Sequence, residues 1–278
     1  MSSLPKAVRA RAATAALPDG GMGLILPPTA IRDIARDFGL PGCEVEASAL
    51  ELGIHPERYL RNRRAVSDTD QRLLLRARAA QVGLGGLGGL LLDQFLRLGV
   101  GHLRAADGDA FETTNLNRQA LATAETLGMS KAEAARLRAA EVNPSVRLEA
   151  RNEFLTPETL PAFLDGCSLA VDALGGLEIR PALRKAAAEA GIPLVTGALA
   201  GWVGYVGVVL PGSVSPSDIM GQRESAEKQL GCPAPAVNLM ASLMAAEAVK
   251  LLCGRPSSLA GKMLIVDLGA LSFDTVTL

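Results

Sequence analysis

Three glycines form the pattern Gly-x-Gly-x-x-Gly within the segment QVGLGGLGG, residues 81–89; they are Gly83, Gly85 and Gly88. Because glycine has no side chain, the backbone N–H groups of such a loop can approach phosphate oxygens closely. We predict that the loop follows a strand and opens a helix, whose N-terminus adds partial positive charge. The segment, which includes Gly86, therefore predicts a nucleotide site. The spacing fits a dinucleotide or ATP equally well, and a tight turn without a ligand is a third interpretation.

One acid and two cations follow this loop. Asp107 ends the next predicted strand, about twenty residues on, where a carboxylate can accept a ribose hydroxyl. Arg118 and Lys131 come next, and two cations near one phosphate loop suit a triphosphate better than an uncharged nicotinamide. Each cation has a simpler interpretation, in which Arg118 pairs with Glu112 and Lys131 is a solvated residue in the first turn of its helix.

The hydrophobic pattern predicts strands and helices in alternation from about residue 70 onward. This order is typical of a Rossmann-like α/β fold, with a doubly wound, mostly parallel sheet and helices on both faces. Ser130 is the predicted cap of one of these helices. The predicted strands are 77–83, 102–107, 146–152, 168–174, 192–199, 205–210 and 262–268. The predicted helices are 86–98, 129–142, 157–164, 178–190 and 235–252.

Residues 1–57 are predicted to form a separate tail and short helical preamble before the main domain, 58–278. The first 18 residues are predicted to be a mobile tail, with a turn at Pro18-Asp19-Gly20-Gly21. Two short helices, 29–38 and 44–52, are expected to pack on the larger body. The polar segment 211–233 is predicted to be a long loop that is either functional or disordered.

Composition excludes several function classes. The chain has 278 residues, 49% of them apolar, and a formal net charge of −1, so it lacks the basic excess expected of a protein that binds nucleic acid or a membrane surface. It has no apolar run of about eighteen residues, so we expect no membrane span. The four cysteines are scattered without a Cys-x-x-Cys pair; we therefore expect no zinc site and a reducing, cytoplasmic location.

Several motifs together resemble one family. They are RYLRN at 58–62, VGLGGLGG at 82–89, Asp107-x-Asp109 followed by NLNRQ at 115–119, Ser-Lys at 130–131 and NPSV at 143–146. In combination they resemble the HesA/MoeB/ThiF family, the bacterial relatives of ubiquitin-activating enzymes. The resemblance covers residues 58–278, and it includes the helix with AAEAVKLL and the closing strand KMLIVDL.

The resemblance implies an adenylyltransferase that uses ATP and Mg²⁺ to activate the C-terminal carboxylate of a small ubiquitin-like protein. That partner is often a sulfur carrier ending in Gly-Gly, and segment 211–233 would pass over its tail. The resemblance also implies that Asp107 holds the ribose and that Arg61 reaches the ATP of a neighbouring subunit, so the protein is a homodimer. The implied catalytic residues are Arg61, Arg118 and Lys131. The implied nucleotide-binding residues are Gly83, Gly85, Gly86, Gly88, Asp107, Asp109, Asn115, Arg118, Gln119, Lys131 and Asp172.

The sequence departs from the family pattern at Gly175. The family has an Asp-Asn pair in this region, and its Asp binds Mg²⁺; here Gly175-Gly176 stands in that place and Asp172 lies three residues earlier. Losing a hard anionic ligand is expected to weaken Mg²⁺ binding, unless Gly175-Gly176 is simply a turn that needs positive φ. One alternative is therefore a degenerate, weakly active member that binds nucleotide or carrier; a second is an NAD-dependent oxidoreductase. Cys232 is either a thiol nucleophile or a packed side chain.

Overall fold

The computed structural model describes residues 3–176, 178–220 and 226–278. The strands are β1 (Ala13–Ala16), β2 (Met22–Leu26), β3 (His55–Pro56), β4 (Arg78–Val82), β5 (His102–Ala106), β6 (Arg147–Arg151), β7 (Leu169–Asp172), β8 (Leu194–Ala200), β9 (Val203–Val209), β10 (Lys262–Asp267) and β11 (Ser272–Thr277). The helices are α1 (Leu4–Arg11), α2 (Pro28–Phe38), α3 (Gly42–Glu51), α4 (Asp68–Arg76), α5 (Gly86–Leu98), α6 (Lys131–Val142), α7 (Leu160–Leu164), α8 (Arg180–Glu189), α9 (Pro216–Met220), α10 (Glu227–Leu230) and α11 (Ala234–Leu252). Short 3₁₀ turns cover Glu57–Asn62 and Thr113–Asn115.

The main sheet has eight strands in the order β11-β10-β9-β8-β7-β4-β5-β6. Five of them, β6-β5-β4-β7-β8, run parallel, and β9, β10 and β11 extend the sheet with antiparallel pairs. The predicted doubly wound, mostly parallel sheet is confirmed. From β4 the chain moves outward to β5 and β6, then crosses back to β7 and β8. The crevice between the carboxyl ends of β4 and β7 is thus a topological switch point, where open α/β sheets bind ligands.

Alternating side chains of the parallel strands divide the core into two layers. Ala79, Leu103 and Val171 face the layer that holds α5, α6 and α11. Ala80 and Ala170, each next in sequence to one of those residues, face α7 and α8 on the other side. This period of two, with apolar residues in both registers, is what burial of both faces of a parallel sheet requires. Helices therefore cover both faces, as the sequence predicts.

Helix α11 is long and apolar enough to cross a membrane by length and composition alone. Half of it is buried inside the protein, where it packs against α5, β8 and β9. Its buried residues, among them Val237, Met240 and Met244, belong to the larger core layer. A helix that is apolar on most sides is expected in the core of a domain of this size.

The N-terminal region is more ordered than predicted. Residues 4–11 form α1, whose Val8 is completely buried, so the prediction of a mobile tail is wrong there. The predicted turn at residues 18–21 is confirmed, because it joins β1 and β2 in an antiparallel hairpin. With β3, these strands make a separate three-stranded sheet. Helices α2 and α3 lie within two residues of their predicted bounds.

Helix α3 contacts the larger body through a buried carboxylate, as expected of a short helix that cannot stand alone. Glu46 is fully buried, with Arg58 Nε 2.9 Å from one of its oxygens. Ser145 Oγ donates to Glu46 at 3.0 Å and Tyr59 OH at 3.1 Å. Burial raises the pKa of Glu46, and the charge of Arg58 opposes the increase. This network joins the preamble to the turn after α6; the domain boundary at residue 58 stays a prediction.

The structure differs from the sequence prediction in segment 211–233 and at the last strand, β11. The polar segment 211–233 is not one long loop, because it contains α9 and α10; residues 221–225 lie outside the described residues. Strand β11 was not predicted, because its alternating residues are exposed on the sheet edge and give no buried stripe.

The glycine loop depends on contacts that allow no side chain. Gly83 has φ +101°, and a Cβ there would lie 2.5 Å from the carbonyl oxygen of Ala173. A Cβ on Gly88 would lie 2.0 Å from the carbonyl oxygen of Gly83. The first turn of α5 can therefore approach the end of β4 only if residue 88 is glycine, and the loop can pass the end of β7 only if residue 83 is glycine.

Replacing Gly88 with alanine is expected to lower the free energy of unfolding by about 1–3 kcal/mol or more, because the new methyl group must displace backbone. Urea unfolding followed by circular dichroism measures the change. Gly176→Ala is the matched control, since a Cβ at Gly176 meets no atom within 4 Å. Equal stability of the two variants would contradict the close approach.

Candidate nucleotide site

The glycine loop lies at the switch point, between the carboxyl end of β4 and the first turn of α5. Gln81, the fourth residue of β4, donates from Nε2 to the carbonyl oxygens of Gly83 at 2.9 Å and Gly88 at 2.8 Å. Gly85 precedes α5 and provides no side-chain cap. The N–H groups of the first helical turn have no partner inside the helix, so they are available to an anion at the loop.

Asp107 is bonded directly to this loop. Its Oδ2 accepts from the N–H of Leu84 at 2.7 Å, and its Oδ1 accepts from the N–H of Asp109 at 3.0 Å. Lys131 Nζ lies 2.7 Å from Asp109 Oδ2 and 3.6 Å from Asp107 Oδ1. Ser130 caps α6 by accepting from the N–H of Glu133, as predicted. Lys131 is buried, so its interpretation as a solvated residue is wrong.

The segment 113–119 carries three more predicted residues. Gln119 is 7% exposed, and its Oε1 has no hydrogen-bond partner among the described residues. That oxygen is 3.7 Å from the position a Cβ would take on Gly85, so the amide faces the glycine loop. Because buried polar atoms rarely stay unpaired, this oxygen marks a place for a ligand hydroxyl, amino group or water. Asn115 Oδ1 accepts from the N–H of Glu112 at 3.1 Å.

Arg118 is partly exposed and loosely paired. It donates to the carbonyl oxygen of Thr114 at 3.0 Å and to Asn117 Oδ1 at 3.1 Å. Its acidic neighbour is Glu227 of α10, at 3.8 Å, rather than Glu112. Only the ion pair with Glu227 is long, so this is the contact that an incoming phosphate could replace.

Asp172 ends β7 and is buried with Arg180 of α8. Arg180 Nη1 lies 2.7 Å from Asp172 Oδ2, which also accepts from Thr196 Oγ1 at 2.8 Å. Asp172 Oδ1 accepts from the N–H of Leu174 at 3.2 Å. Both carboxylate oxygens are thus engaged by the protein, and the role of Asp172 in nucleotide binding stays a prediction.

Arg180 also shapes the connection after β7. It donates to the carbonyl oxygen of Gly176 at 2.9 Å and to that of Leu174. Neither Gly175 nor Gly176 has positive φ, so the interpretation of this pair as a turn that needs positive φ is wrong. Within the part of the chain that the structure describes, a Cβ on Gly175 would come within 4 Å only of Glu227 Oε2, at 3.9 Å.

Cys232 lies beside the same carboxylate. Burial, then the charge of Glu227 and a hydrogen bond to it, raise the pKa of this thiol to about 12. The thiol is therefore protonated at neutral pH, and since the thiolate is the nucleophile, the geometry favours the packed interpretation. The four cysteines are free.

Arg61 lies on the 3₁₀ turn Glu57–Asn62 and is exposed. It makes no hydrogen bond or ion pair with any described residue, so no such contact joins it to the glycine loop of its own chain. Its predicted role toward a neighbouring subunit stays a prediction.

The donor set around the loop suits a nucleoside triphosphate with Mg²⁺. The described residues contain no group of three or more His, Cys, Asp or Glu side chains that could hold a metal ion. Mg²⁺ in such sites needs only one or two carboxylates, because phosphate oxygens and waters complete its shell. The unpaired Gln119 oxygen beside the loop is available to a ligand or a water.

Comparison with known proteins identifies the family. A model described as the ThiF family matches residues 59–278. The chain belongs to the ThiF family. The molybdopterin-synthase adenylyltransferase of Salmonella typhimurium is 33% identical over 204 residues, 71% of this chain and 81% of that protein. The sulfur carrier protein adenylyltransferase of Thermus thermophilus is 37% identical over 225 residues, 76% of this chain and 82% of that protein.

Solved structures share the fold of this ThiF-family chain. Escherichia coli MccB with ATP superposes with a TM-score of 0.69 and 19% identity, over 91% of this chain and 79% of that chain. PaaA superposes with a TM-score of 0.68 and 20% identity, over 96% of this chain and 98% of that chain. At this identity the likeness concerns the fold alone. It extends to most of the N-terminal region, which the family model does not include.

Sequence reasoning missed three residues of this ThiF-family site. Gln81 was read as part of an apolar strand, although a lone amide in a buried strand needs partners. Arg180 follows Asp172 by eight residues and opens a helix near a predicted ligand, which is a usable signal for a buried ion pair. Glu227 gave no signal, because its approach depends on how the chain returns from β9 to α11.

Replacing Arg180 with leucine is expected to lower the free energy of unfolding by about 3–5 kcal/mol, because it leaves Asp172 buried without its cation. Arg184→Ala, one turn later on α8, is the control: Arg184 forms a surface pair with Asp218 at 2.9 Å, worth about 0–1 kcal/mol. Adding Asp172→Asn to Arg180→Leu should recover part of the loss. Chemical unfolding measures the free energy of unfolding of each variant. Equal stability of Arg180→Leu and Arg184→Ala would contradict a stabilising role of the buried pair.

Proposed function

We propose that this chain adenylates the C-terminal carboxylate of a small ubiquitin-like sulfur carrier protein that ends in Gly-Gly, with ATP as the second substrate. We further propose that it works as a homodimer in the cytoplasm. Membership of the ThiF family supports the proposal, as do relatives whose names describe adenylyltransferases for molybdopterin synthase and for sulfur carrier proteins. The four free cysteines are consistent with a reducing compartment.

The observation that carries the proposal is that a buried lysine and a buried, unpaired amide lie beside one glycine loop. Lys131 reaches the loop through Asp107, which itself accepts from the N–H of Leu84. Gln119, the last residue of the segment 113–119, faces Gly85. A phosphate chain lying along the N-terminus of α5 would contact the backbone N–H groups first and Lys131 next.

The reaction joins a carrier carboxylate oxygen to the α-phosphorus of ATP and breaks the bond from that phosphorus to the β-phosphate oxygen. Pyrophosphate leaves with the electron pair of the broken bond, so negative charge accumulates on it. Arg118 and Lys131 can donate to that charge as it develops, which is where electrostatic stabilisation is most effective. Asp107 can accept a ribose hydroxyl and so fix the α-phosphate relative to the attacking oxygen.

Mg²⁺, when bound, would neutralise part of the phosphate charge. Asp172 supports the site by fixing Arg180 and the turn at Gly176. Position 175 provides neither charge nor ligand. This is the feature that favours the alternative of a family member with weak turnover. The comparisons give that alternative no support. They give none to an NAD-dependent oxidoreductase either, and the buried Lys131 at the loop argues against a neutral nicotinamide slot.

The proposal predicts ATP–pyrophosphate exchange that depends on a Gly-Gly-ended carrier. Arg118→Ala should weaken ATP binding by about 10- to 150-fold, the equivalent of about 1.5–3 kcal/mol for a hydrogen bond to a charged group. Arg147→Ala is the control, because Arg147 is an exposed residue at the amino end of β6, away from the loop. Exchange without carrier dependence, or calorimetric binding of NAD more tightly than ATP, would contradict the function.

The homodimer predicts complementation between two inactive variants. If Arg61 acts on the partner's nucleotide, mixing Arg61→Ala with Arg118→Ala should form heterodimers with one intact site. With free subunit exchange, about a quarter of all sites become active, since half of the dimers are mixed. Pyrophosphate exchange of the mixture is compared with that of each variant alone. Two results would show that Arg61 does not act across a dimer. One is a monomer mass measured by light scattering at micromolar protein concentration, and the other is a mixture that is no more active than either variant alone.

A further inference from the structure

We infer that Glu227 supplies the protein carboxylate for the metal of a bound nucleoside triphosphate, from α10 instead of from position 175. This inference deepens the proposed function and rests on it. It starts from a census of carboxylates around the glycine loop. Asp107 is held by two backbone N–H groups and faces Lys131 at 3.6 Å, and Asp109 is paired with Lys131 at 2.7 Å. Asp172 is paired with Arg180 and Thr196.

Glu227 differs from these acids in how it is held. Its ion pair, with Arg118, is long at 3.8 Å, and its side chain is 31% exposed. An anion that draws Arg118 toward its phosphates therefore frees this carboxylate at the same moment. The released oxygen lies next to the cation that contacts phosphate, where a phosphate-bound Mg²⁺ needs a hard ligand.

Gly175 provides the space. Glu227 Oε2 lies 3.9 Å from the position a Cβ would take on Gly175, and that position meets no other atom of the described residues within 4 Å. A short acid on residue 175 would place its oxygens in the same small volume. The longer side chain of Glu227 reaches that volume from α10, so a carboxylate is present there although position 175 has none. A side chain at both positions would set two like charges together, which is unfavourable without the metal.

The test compares how the metal affects nucleotide affinity. Calorimetry measures binding of α,β-methylene ATP, in which the bond to be broken is blocked, with Mn²⁺ and with EDTA. For the wild type the Mn²⁺ complex should bind more tightly. Glu227→Gln should reduce this metal preference roughly tenfold or more, within the range seen when a group that supports a metal is removed. Binding in EDTA should stay the same or improve, because Arg118 is freed.

Two further variants separate the metal role from a general charge effect. Gly175→Asp in the Glu227→Gln background should restore the metal preference, since the backbone at Gly175 tolerates a side chain. Glu178→Gln, an exposed acid on the same connection, should leave the preference unchanged. Circular dichroism confirms that each variant is folded.

The outcomes distinguish this inference from the proposed function. A wild type that binds the analogue while Glu227→Gln keeps the full metal preference overturns the inference and leaves the function standing. Tighter binding by Glu227→Gln with and without metal, at a constant ratio, also overturns it and reduces Glu227 to a partner of Arg118. A wild type that binds neither form overturns both. Loss of the preference in Glu227→Gln and its return in the double variant support the inference.

Discussion

The close approach between the end of β4 and the first turn of α5 is the constraint on which the rest of the site depends. The carbonyl oxygen of Gly83 occupies space that any Cβ on Gly88 would need. The side-chain amide of Gln81 donates to the carbonyl oxygens of both residues and so fixes their positions. Only this compact turn brings the N–H groups of α5 to the crevice beside β7. Asp107 then adds its carboxylate to the N–H of Leu84, so the loop and the neighbouring strand are fixed as one unit.

The charges around this loop are balanced inside the protein. Lys131 lies between two carboxylates, Arg118 faces Glu227, and Arg180 is buried with Asp172. These pairs differ in strength in a way that fits their tasks. The Arg180 pair is fully buried and holds backbone carbonyls, so opening it would leave a charge without water or partner. The Arg118 pair is long and partly exposed, so under the proposed function a phosphate would replace Glu227 at little cost. Nucleotide binding would then exchange partners and would not create new buried charge.

Much of this fold follows from local patterns. The bounds of α5 match the predicted range, 86–98, because a glycine turn opens the helix, an apolar face fills it, and Gly99 ends it in a left-handed conformation. The parallel strands and the cap of α6 follow for similar reasons. Residues 4–11 were not predicted as a helix, because burial of Val8 depends on partners far along the chain. An isolated helix of eight residues is marginal in water, so tertiary contacts decide its state.

The residues of the candidate site also divide into those that local sequence patterns predict and those that only the tertiary contacts reveal. Glycines, Asp107 and Lys131 could be predicted because loop geometry and strand ends bring them together. The partner of Arg118 could not, because Glu227 is more than a hundred residues away in sequence and enters through a turn of α10. The missing acid at position 175 thus has a different meaning in sequence and in space. In sequence it is a lost ligand. In space it is an open volume with a carboxylate 3.9 Å away, and a cation site requires an oxygen of the right charge at the right place, whichever residue carries it.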